Sequence, residues 1–240
     1  GNSVLSKQSI AFSPAKKTAT VSVLLPADKI GLQVFKATIS SKEKEKNTYN
    51  NTKNFAVEVI DQKTNIAIIS AISHPDLGAM KRAIESNVQR KVTIAKPNEI
   101  KSLQDYNVLI LYQPTTDFKT IFENNKGTGI NTFIITGNNT DFNFLNQQQD
   151  NLNFKMSGQI EDYLSVFNEQ FNLFAVDNIG FESLPPLQNA FGTVTTKGAV
   201  SVLISSKIRT INTSSPLLAF AENQGKRAAY LLGENSWKWR

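Results

Sequence analysis

The residues best suited to acid–base chemistry follow the first long apolar run of the chain. His74 is the only histidine among the 240 residues, and Asp76 lies two positions after it. An imidazole beside a carboxylate can act as a general base or bind a metal ion. The sequence Ser73-His74-Pro75-Asp76 also suits a turn in which Asp76 caps the following helix. We favour the turn and cap, with a ligand or metal site as the alternative.

Other polar residues follow the strands predicted after this one. Open α/β sheets bind ligands at the carboxyl ends of their parallel strands. A crevice at those ends is therefore the candidate ligand-binding site. Its predicted members are His74, Asp76, Asp117, Asn138, Asn139 and Asp141.

The composition excludes several common chemistries. Cysteine is absent, so disulfides, thiolate metal sites and cysteine nucleophiles are excluded. A zinc site built on two histidines is excluded as well, and a serine triad would have to use His74. The Gly127-Thr128-Gly129 sequence precedes a predicted strand rather than a helix, so it does not match a phosphate-binding loop. We predict no catalytic residues, no bound metal and no cofactor.

The excess of positive charge is modest. Lysine and arginine number 26 against 20 acidic residues, which gives a net charge of +6. These residues are scattered along the chain, which favours a solvated surface over a nucleic-acid site. We expect no nucleic-acid partner, and binding of a polyanion is the alternative. No apolar run reaches the ~18–20 residues of a membrane-spanning helix, so we expect membrane contact only through segments outside this chain.

The first 61 residues have the pattern of a β-sheet protein. Alternating or β-branched runs predict strands over 9–13, 18–24, 31–39 and 55–60, separated by turns. In the third strand, Phe35, Ala37 and Ile39 share the face predicted to be buried. Four strands supply half of a β-sandwich, so we expect further sequence before Gly1.

The rest of the chain, 62–240, alternates strands with helices. This order predicts a flavodoxin-like α/β fold, a mostly parallel sheet with flanking helices. The predicted strands cover 66–72, 92–94, 107–112, 132–136, 191–195, 200–204, 217–221 and 227–232. The predicted helices cover 77–86, 99–105, a segment that begins at 118–123 and ends at Gly127 and Gly129, and part of 161–174. The join at 60–64 lacks a Gly/Ser-rich stretch, which predicts limited flexing between the two parts.

The first part resembles the second half of a CARDB-type immunoglobulin-like module of bacterial cell surfaces. The resemblance rests on the strand opened by Gly31, on Glu45-Lys46-Asn47-Thr48-Tyr49-Asn50-Asn51, and on the strand at 55–60. It implies a partial immunoglobulin-like β-sandwich over 1–61. An ordinary asparagine-rich hairpin loop is the alternative interpretation of 45–51.

The second part resembles the class I glutamine amidotransferase-like domain of bacterial membrane-anchored proteins. The resemblance rests on the strand–helix order, on residues 73–78, and on Gly233-Glu234-x-x-Trp237-Lys238-Trp239-Arg240. It implies an extracytoplasmic location, in the periplasm or on the cell surface. The last tryptophans could stack on a sugar or base, or anchor a final helix to the sheet, which we favour. We read this end as the first turn of a helix.

Working members of that family have a cysteine after the strand that corresponds to 132–136, and a histidine–glutamate pair late in the domain. Here the turn is Gly137-Asn138-Asn139-Thr140-Asp141, and no histidine follows His74. The nucleophile and base are therefore missing. The resemblance implies a non-catalytic structural or interaction module of a larger membrane-anchored protein. Its expected partners are other domains of the same polypeptide or membrane proteins. A hydrolase or small-molecule-binding domain using the crevice around His74 is the alternative.

Overall fold

A computed structural model describes residues 4–14, 17–26, 29–41, 45, 47–59, 63–223 and 225–239 of the chain. The chain forms two compact units, Gly1–Gln62 and Lys63–Arg240. The predicted boundary between 61 and 62, most of the predicted join at 60–64, and Arg240 lie outside the described residues.

The first unit contains an antiparallel pair of strands, β1 (Gly31–Thr38) and β2 (Thr52–Val59), in which Phe35 pairs with Phe55. The two rings stack with centroids 5.6 Å apart. Val34, on the opposite face, is 71% exposed, but Ile39 is 72% exposed as well, so the prediction that Ile39 is buried is wrong. Among the described residues of 9–13 and 18–24, none lies in an extended strand, so the predicted strands there are absent from that part. The immunoglobulin-like sandwich stays a prediction.

The second unit is built on a nine-stranded mixed sheet. The strands of its parallel half are β3 (Thr64–Ser70), β4 (Arg90–Ala95), β5 (Val108–Tyr112), β6 (Asn131–Thr136) and β11 (Lys226–Leu232). Those of the antiparallel half are β7 (Leu152–Phe167), β8 (Leu187–Thr196), β9 (Val200–Ile208) and β10 (Ile211–Asn223). The strand order is β4-β3-β5-β6-β11-β10-β9-β7-β8. Neighbouring strands are parallel from β4 to β11 and antiparallel from β11 to β8.

The prediction of a flavodoxin-like, helix-flanked parallel sheet is therefore wrong. Four of the nine strands form an antiparallel extension, and the α-helices of the described residues are α1 (Pro75–Glu85), α2 (Lys119–Thr128) and α3 (Phe142–Gln148). The helix predicted within 161–174 is instead the end of β7, and the helix predicted at 99–105 is reduced to a 3-10 turn at Pro97–Glu99. None of the described helices is long and apolar enough to cross a membrane.

The apolar core extends from the parallel strands and the helices into the antiparallel strands. Residues Ile66–Ser70 of β3 are all buried, because strands of a parallel sheet are covered on both faces. Leu77 of α1 and Ile121 of α2 pack into the same core. The helix ends and loops at the carboxyl ends of β3, β5, β6 and β11 are thereby fixed next to one another.

Candidate functional site

Asp76 is a fully buried carboxylate at the carboxyl ends of the parallel strands. It is the second residue of α1, where a negative charge also interacts favourably with the helix dipole. Four donors from the described residues bind its two oxygens. Oδ2 accepts from the Tyr112 hydroxyl at 2.9 Å and from the Asn235 N–H at 2.9 Å; Oδ1 accepts from the Ser236 hydroxyl at 3.1 Å and from the Trp237 N–H at 2.7 Å. Asp76 thus joins the segments that follow β3 and β11 to the end of β5.

His74, and not Asp76, is the N-cap of α1, which corrects the predicted cap. Its Nδ1 accepts a hydrogen bond from the Asp76 N–H at 3.2 Å, so that nitrogen carries no proton in this arrangement. The same Nδ1 lies 3.3 Å from Asp76 Oδ2, and a protonated ring would donate to that oxygen instead. Both arrangements use His74 to hold the first turn of α1.

Tyr112 ends β5 beside this carboxylate and is fully buried. Burial raises the pKa of its hydroxyl well above the usual value, and the nearby Asp76 charge raises it further. The hydroxyl therefore stays protonated and donates to Asp76. Its ring also lies 5.4 Å from the His74 ring, centroid to centroid.

A second buried carboxylate, Glu234, follows β11. Its Oε2 accepts from the Gln113 side-chain amide and from the Asn138 N–H at 3.1 Å, and its Oε1 accepts from Asn138 Nδ2 at 2.8 Å. Gly137 leaves the space that this cluster fills, since a Cβ at that position would lie 2.5 Å from both Gln113 Nε2 and Glu234 Oε2. Glu234 thus ties the segment after β11 to the turns after β5 and β6.

Gln113 has a left-handed backbone conformation with φ of 50° and is almost fully buried. Its N–H donates to Ile135 O at 2.7 Å, and its side-chain oxygen accepts from the Asn139 N–H at 2.8 Å. An L-residue adopts this backbone only where its surroundings fix it. Here the bonds to β6 and the following turn do so.

Five of the six predicted crevice residues lie at the carboxyl ends of the parallel strands, and their hydrogen bonds hold loops and helix ends in place. These residues are His74, Asp76, Asn138, Asn139 and Asp141. Asn138 binds Glu234 and Asn139 binds Gln113, while Asp141 is the N-cap of α3 and accepts from the Phe144 N–H at 2.9 Å. Asp117 is exposed in a 3-10 turn before α2 and shares no hydrogen bond with the others in the described part of the chain.

Most partners of these residues are not predicted from the sequence. Tyr112 is predicted only as the end of a strand, and no role is predicted for Gln113. Glu234 belongs to the terminal motif but has no predicted structural role. The motif itself was the available signal, because Glu234, Asn235, Ser236 and Trp237 all bond to the two clusters. The segment is a 3-10 turn (Ser236–Lys238) rather than the start of an α-helix.

The chemistry open to this arrangement is limited by its hydrogen bonds. Each carboxylate oxygen of Asp76 and Glu234 already accepts a bond from a fixed donor, and each side chain is at most 7% exposed. The described residues contain no group of three histidine, cysteine or acidic side chains placed to hold a metal ion. In this geometry Asp76 and Glu234 each act as a brace, that is, a buried carboxylate whose hydrogen bonds hold neighbouring loops together.

An open groove of about 610 Å³ is lined in part by the same terminal segment. We call it the α1–Trp groove. Its walls are Ala79, Met80, Arg82 and Ala83 of α1 and Ser236, Trp237 and Trp239 of the terminal segment. Because Asp76 bonds to Ser236 and Trp237, the brace also positions one wall of the groove.

The fold that these observations define is a mixed α/β sheet whose strand-end loops are braced by buried carboxylates. No family model matches the chain, and neither does any curated protein. Solved structures do match. One is the exo-β-1,4-mannosidase Op5Man5 from Opitutaceae bacterium strain TAV5, at 10% identity and a TM-score of 0.44, over 74% of this chain and 32% of that one. Another is SMU.1228c, at 13% identity and a TM-score of 0.41, over 69% and 75%. The chain thus spans about a third of the mannosidase.

Proposed function

We propose that this chain is a non-catalytic structural or interaction module. The observation that carries the proposal is the state of Asp76, a fully buried carboxylate whose oxygens accept four hydrogen bonds from its own chain. A general acid or base must reach the proton that it transfers. A carboxylate enclosed by structural donors instead fixes the loops that supply them.

The surroundings of His74 support the same proposal. Its Nδ1 lies 3.3 Å from Asp76 Oδ2 and accepts from the Asp76 N–H, so any catalytic role would fall to Nε2. A hydrolytic site around His74 would need a nucleophile or a second acidic group within reach of the ring. The nearby hydroxyls of Tyr112 and Ser236 both donate to Asp76. The arrangement is therefore better suited to stability than to turnover.

The setting of the module follows from the resemblance of its sequence. We place it in a larger membrane-anchored extracytoplasmic bacterial protein, in the periplasm or at the cell surface. Its partners would be other domains of that polypeptide or neighbouring membrane proteins. Cell fractionation and protease accessibility test this placement. We expect the native full-length protein in the membrane fraction, and we expect protease added outside the cytoplasm to cleave this part of it.

Catalysis is tested by comparing the chain with its His74→Ala and Asp76→Asn variants. The substrates are glutamine, followed by ammonia release, and p-nitrophenyl esters, phosphates and glycosides, followed by absorbance. We expect no turnover that depends on either residue, and a lowered thermal transition for Asp76→Asn. The matched control is Asp117→Asn, which removes a charge from an exposed turn.

The proposal is wrong if the wild-type chain turns over any of these substrates and His74→Ala abolishes that turnover while its circular dichroism stays that of a folded chain. The protein would then be a hydrolase that uses the strand-end residues.

A further inference from the structure

The α1–Trp groove combines large apolar side chains with a cation. It contains both tryptophans of the chain, together with a methionine and an arginine. Tryptophan, methionine and arginine are the side chains enriched in the centres of protein–protein interfaces, and tryptophan and arginine dominate their binding energy. The groove is also large enough to enclose several side chains.

The polar groups of the indoles and of Ser236 are already satisfied within the chain. Trp239 Nε1 donates to Pro185 O at 2.8 Å, and Trp237 Nε1 donates to Asn235 Oδ1 at 3.3 Å. The Ser236 hydroxyl donates to Asp76. An occupant therefore meets mainly apolar surface, formed by the indoles with Met80 and the alanines.

Arg82 is the exception. It is exposed on α1, and within the described part of the chain its guanidinium has neither a hydrogen bond nor an ion pair. A second cation, Lys238, lies next to the groove with Nζ 5.7 Å from the centre of the Trp237 ring. A guanidinium with free donors binds a carboxylate through paired hydrogen bonds. The groove is thus complementary to an apolar occupant that carries negative charge.

Resting on the proposed function, we infer that the α1–Trp groove docks a protein segment that inserts an apolar side chain against Met80 and the indoles and presents a carboxylate to Arg82. A carbohydrate fits this groove less well. Sugar hydroxyls need several donors and acceptors, and a buried hydroxyl without a partner costs about 1–3 kcal/mol. A peptide segment satisfies its own backbone groups or leaves them in solvent at the open side.

The fluorescence of the chain provides a specific readout. Trp237 and Trp239 are the only tryptophans in the sequence, and both line the groove. Emission excited near the red edge of tryptophan absorption therefore reports on this groove alone. The probe is a random 12-residue peptide library displayed on phage and selected on the purified chain; the selected peptides are then synthesised and titrated against the tryptophan emission.

Two substitutions test the groove. Arg82→Glu reverses the charge that receives the carboxylate, and Ala83→Glu adds a repelling carboxylate on the exposed wall while keeping a good helix former. The matched control is Arg90→Glu, at an exposed position of β4. We expect peptides rich in acidic and apolar residues that alter the emission, bind about tenfold more weakly to Arg82→Glu and Ala83→Glu, and bind equally well to Arg90→Glu.

The contrary outcomes are equally specific. Selection that yields no binder, or only binders indifferent to both substitutions, overturns the docking inference and leaves the proposed non-catalytic function standing. A change of emission with oligogalacturonate or mannohexaose, lost in Arg82→Glu and not produced by any selected peptide, makes the groove a sugar site instead. Turnover that depends on His74 overturns the proposed function whatever the groove binds.

Discussion

Replacing Asp76 with asparagine tests the brace without changing its shape. Asparagine keeps one oxygen, and its amide can point either way. One orientation puts the NH₂ group against the Tyr112 hydroxyl and the Asn235 N–H, and the other puts it against the Ser236 hydroxyl and the Trp237 N–H. A hydroxyl can rotate and accept, but a backbone N–H cannot. Either orientation therefore leaves one N–H of a half-buried residue facing an NH₂ group instead of an acceptor.

The loss of these hydrogen bonds lowers the free energy of unfolding. An unsatisfied buried donor costs about 1–3 kcal/mol, and a hydrogen bond to a charged acceptor is worth about 1 kcal/mol more than one to a neutral acceptor. Relief of the buried charge offsets part of this loss. We expect a net destabilisation of about 3 kcal/mol, which lowers the transition temperature of a domain this size by about 6–12 °C.

The assay is thermal and urea unfolding of the chain and its variants, followed by circular dichroism and tryptophan emission. Asp117→Asn is the matched control, because it makes the same chemical change at an exposed position, and it should unfold like the wild type. A transition for Asp76→Asn that coincides with that of the wild type would refute the argument, since the carboxylate would then contribute nothing that an amide cannot supply.

Three further predictions concern other parts of the fold. Gly137→Ala should destabilise the fold by about 2 kcal/mol, because its Cβ would collide with the buried cluster around Glu234. Gly78→Ala in α1 has open space around its Cβ and should stabilise the fold by about 0.5–1 kcal/mol. Equal unfolding midpoints for the two variants would contradict this contrast. Asn189 Nδ2 donates to Thr136 Oγ1, so Thr136→Val alone should lower the free energy of unfolding by about 1–3 kcal/mol. In a double-mutant cycle, adding Asn189→Leu should recover part of that loss. Strictly additive effects would show that the two side chains do not interact. Burial raises the pKa of Tyr230 to about 12, above its unfolded value near 10. Folding stability should therefore be intact below pH 10 and decline towards pH 12. Tyr230→Phe should flatten that decline in alkaline unfolding curves, and an unchanged slope would count against this role of Tyr230.

The parallel half of the sheet could be predicted from the sequence because its signal is local. Residues Ile66–Ser70 form an uninterrupted buried run, and β5, β6 and β11 have similar runs. The turn signals between them are equally local. Gly129, for example, ends α2 with a positive φ of 67°, near the predicted helix end.

The antiparallel half was harder to predict, since its strands are long and irregular. β7 runs for 16 residues, and its pairing with β8 shifts register between Met156 and Ile160. Such a bulge breaks the period-two alternation from which strands are predicted. The adjacent charged residues Glu161 and Asp162 also interrupt the alternation of polar and apolar residues in the second half of the strand. The prediction of flavodoxin-like architecture failed for this reason.

The candidate site was predicted by position but not by partner. The rule that polar groups gather at the carboxyl ends of parallel strands led to His74, Asp76, Asn138 and Asn139. It could not show that Glu234 supplies the acceptor for Asn138. Pairing between segments so distant in the chain depends on strand order, and a single sequence contains no direct record of that order.

The brace and the groove share one segment, and this coupling gives a last prediction. Asp76 holds the Ser236 hydroxyl and the Trp237 N–H, and both residues line the α1–Trp groove. In Asp76→Asn at a temperature where the domain stays folded, the terminal turn loses at least one of its anchors. We expect red-shifted tryptophan emission and faster quenching by acrylamide, while Asp117→Asn keeps the wild-type spectrum. Wild-type emission in a folded but destabilised Asp76→Asn would show that the contacts of Trp239 with Pro185 suffice to position the turn, and that the brace serves stability alone.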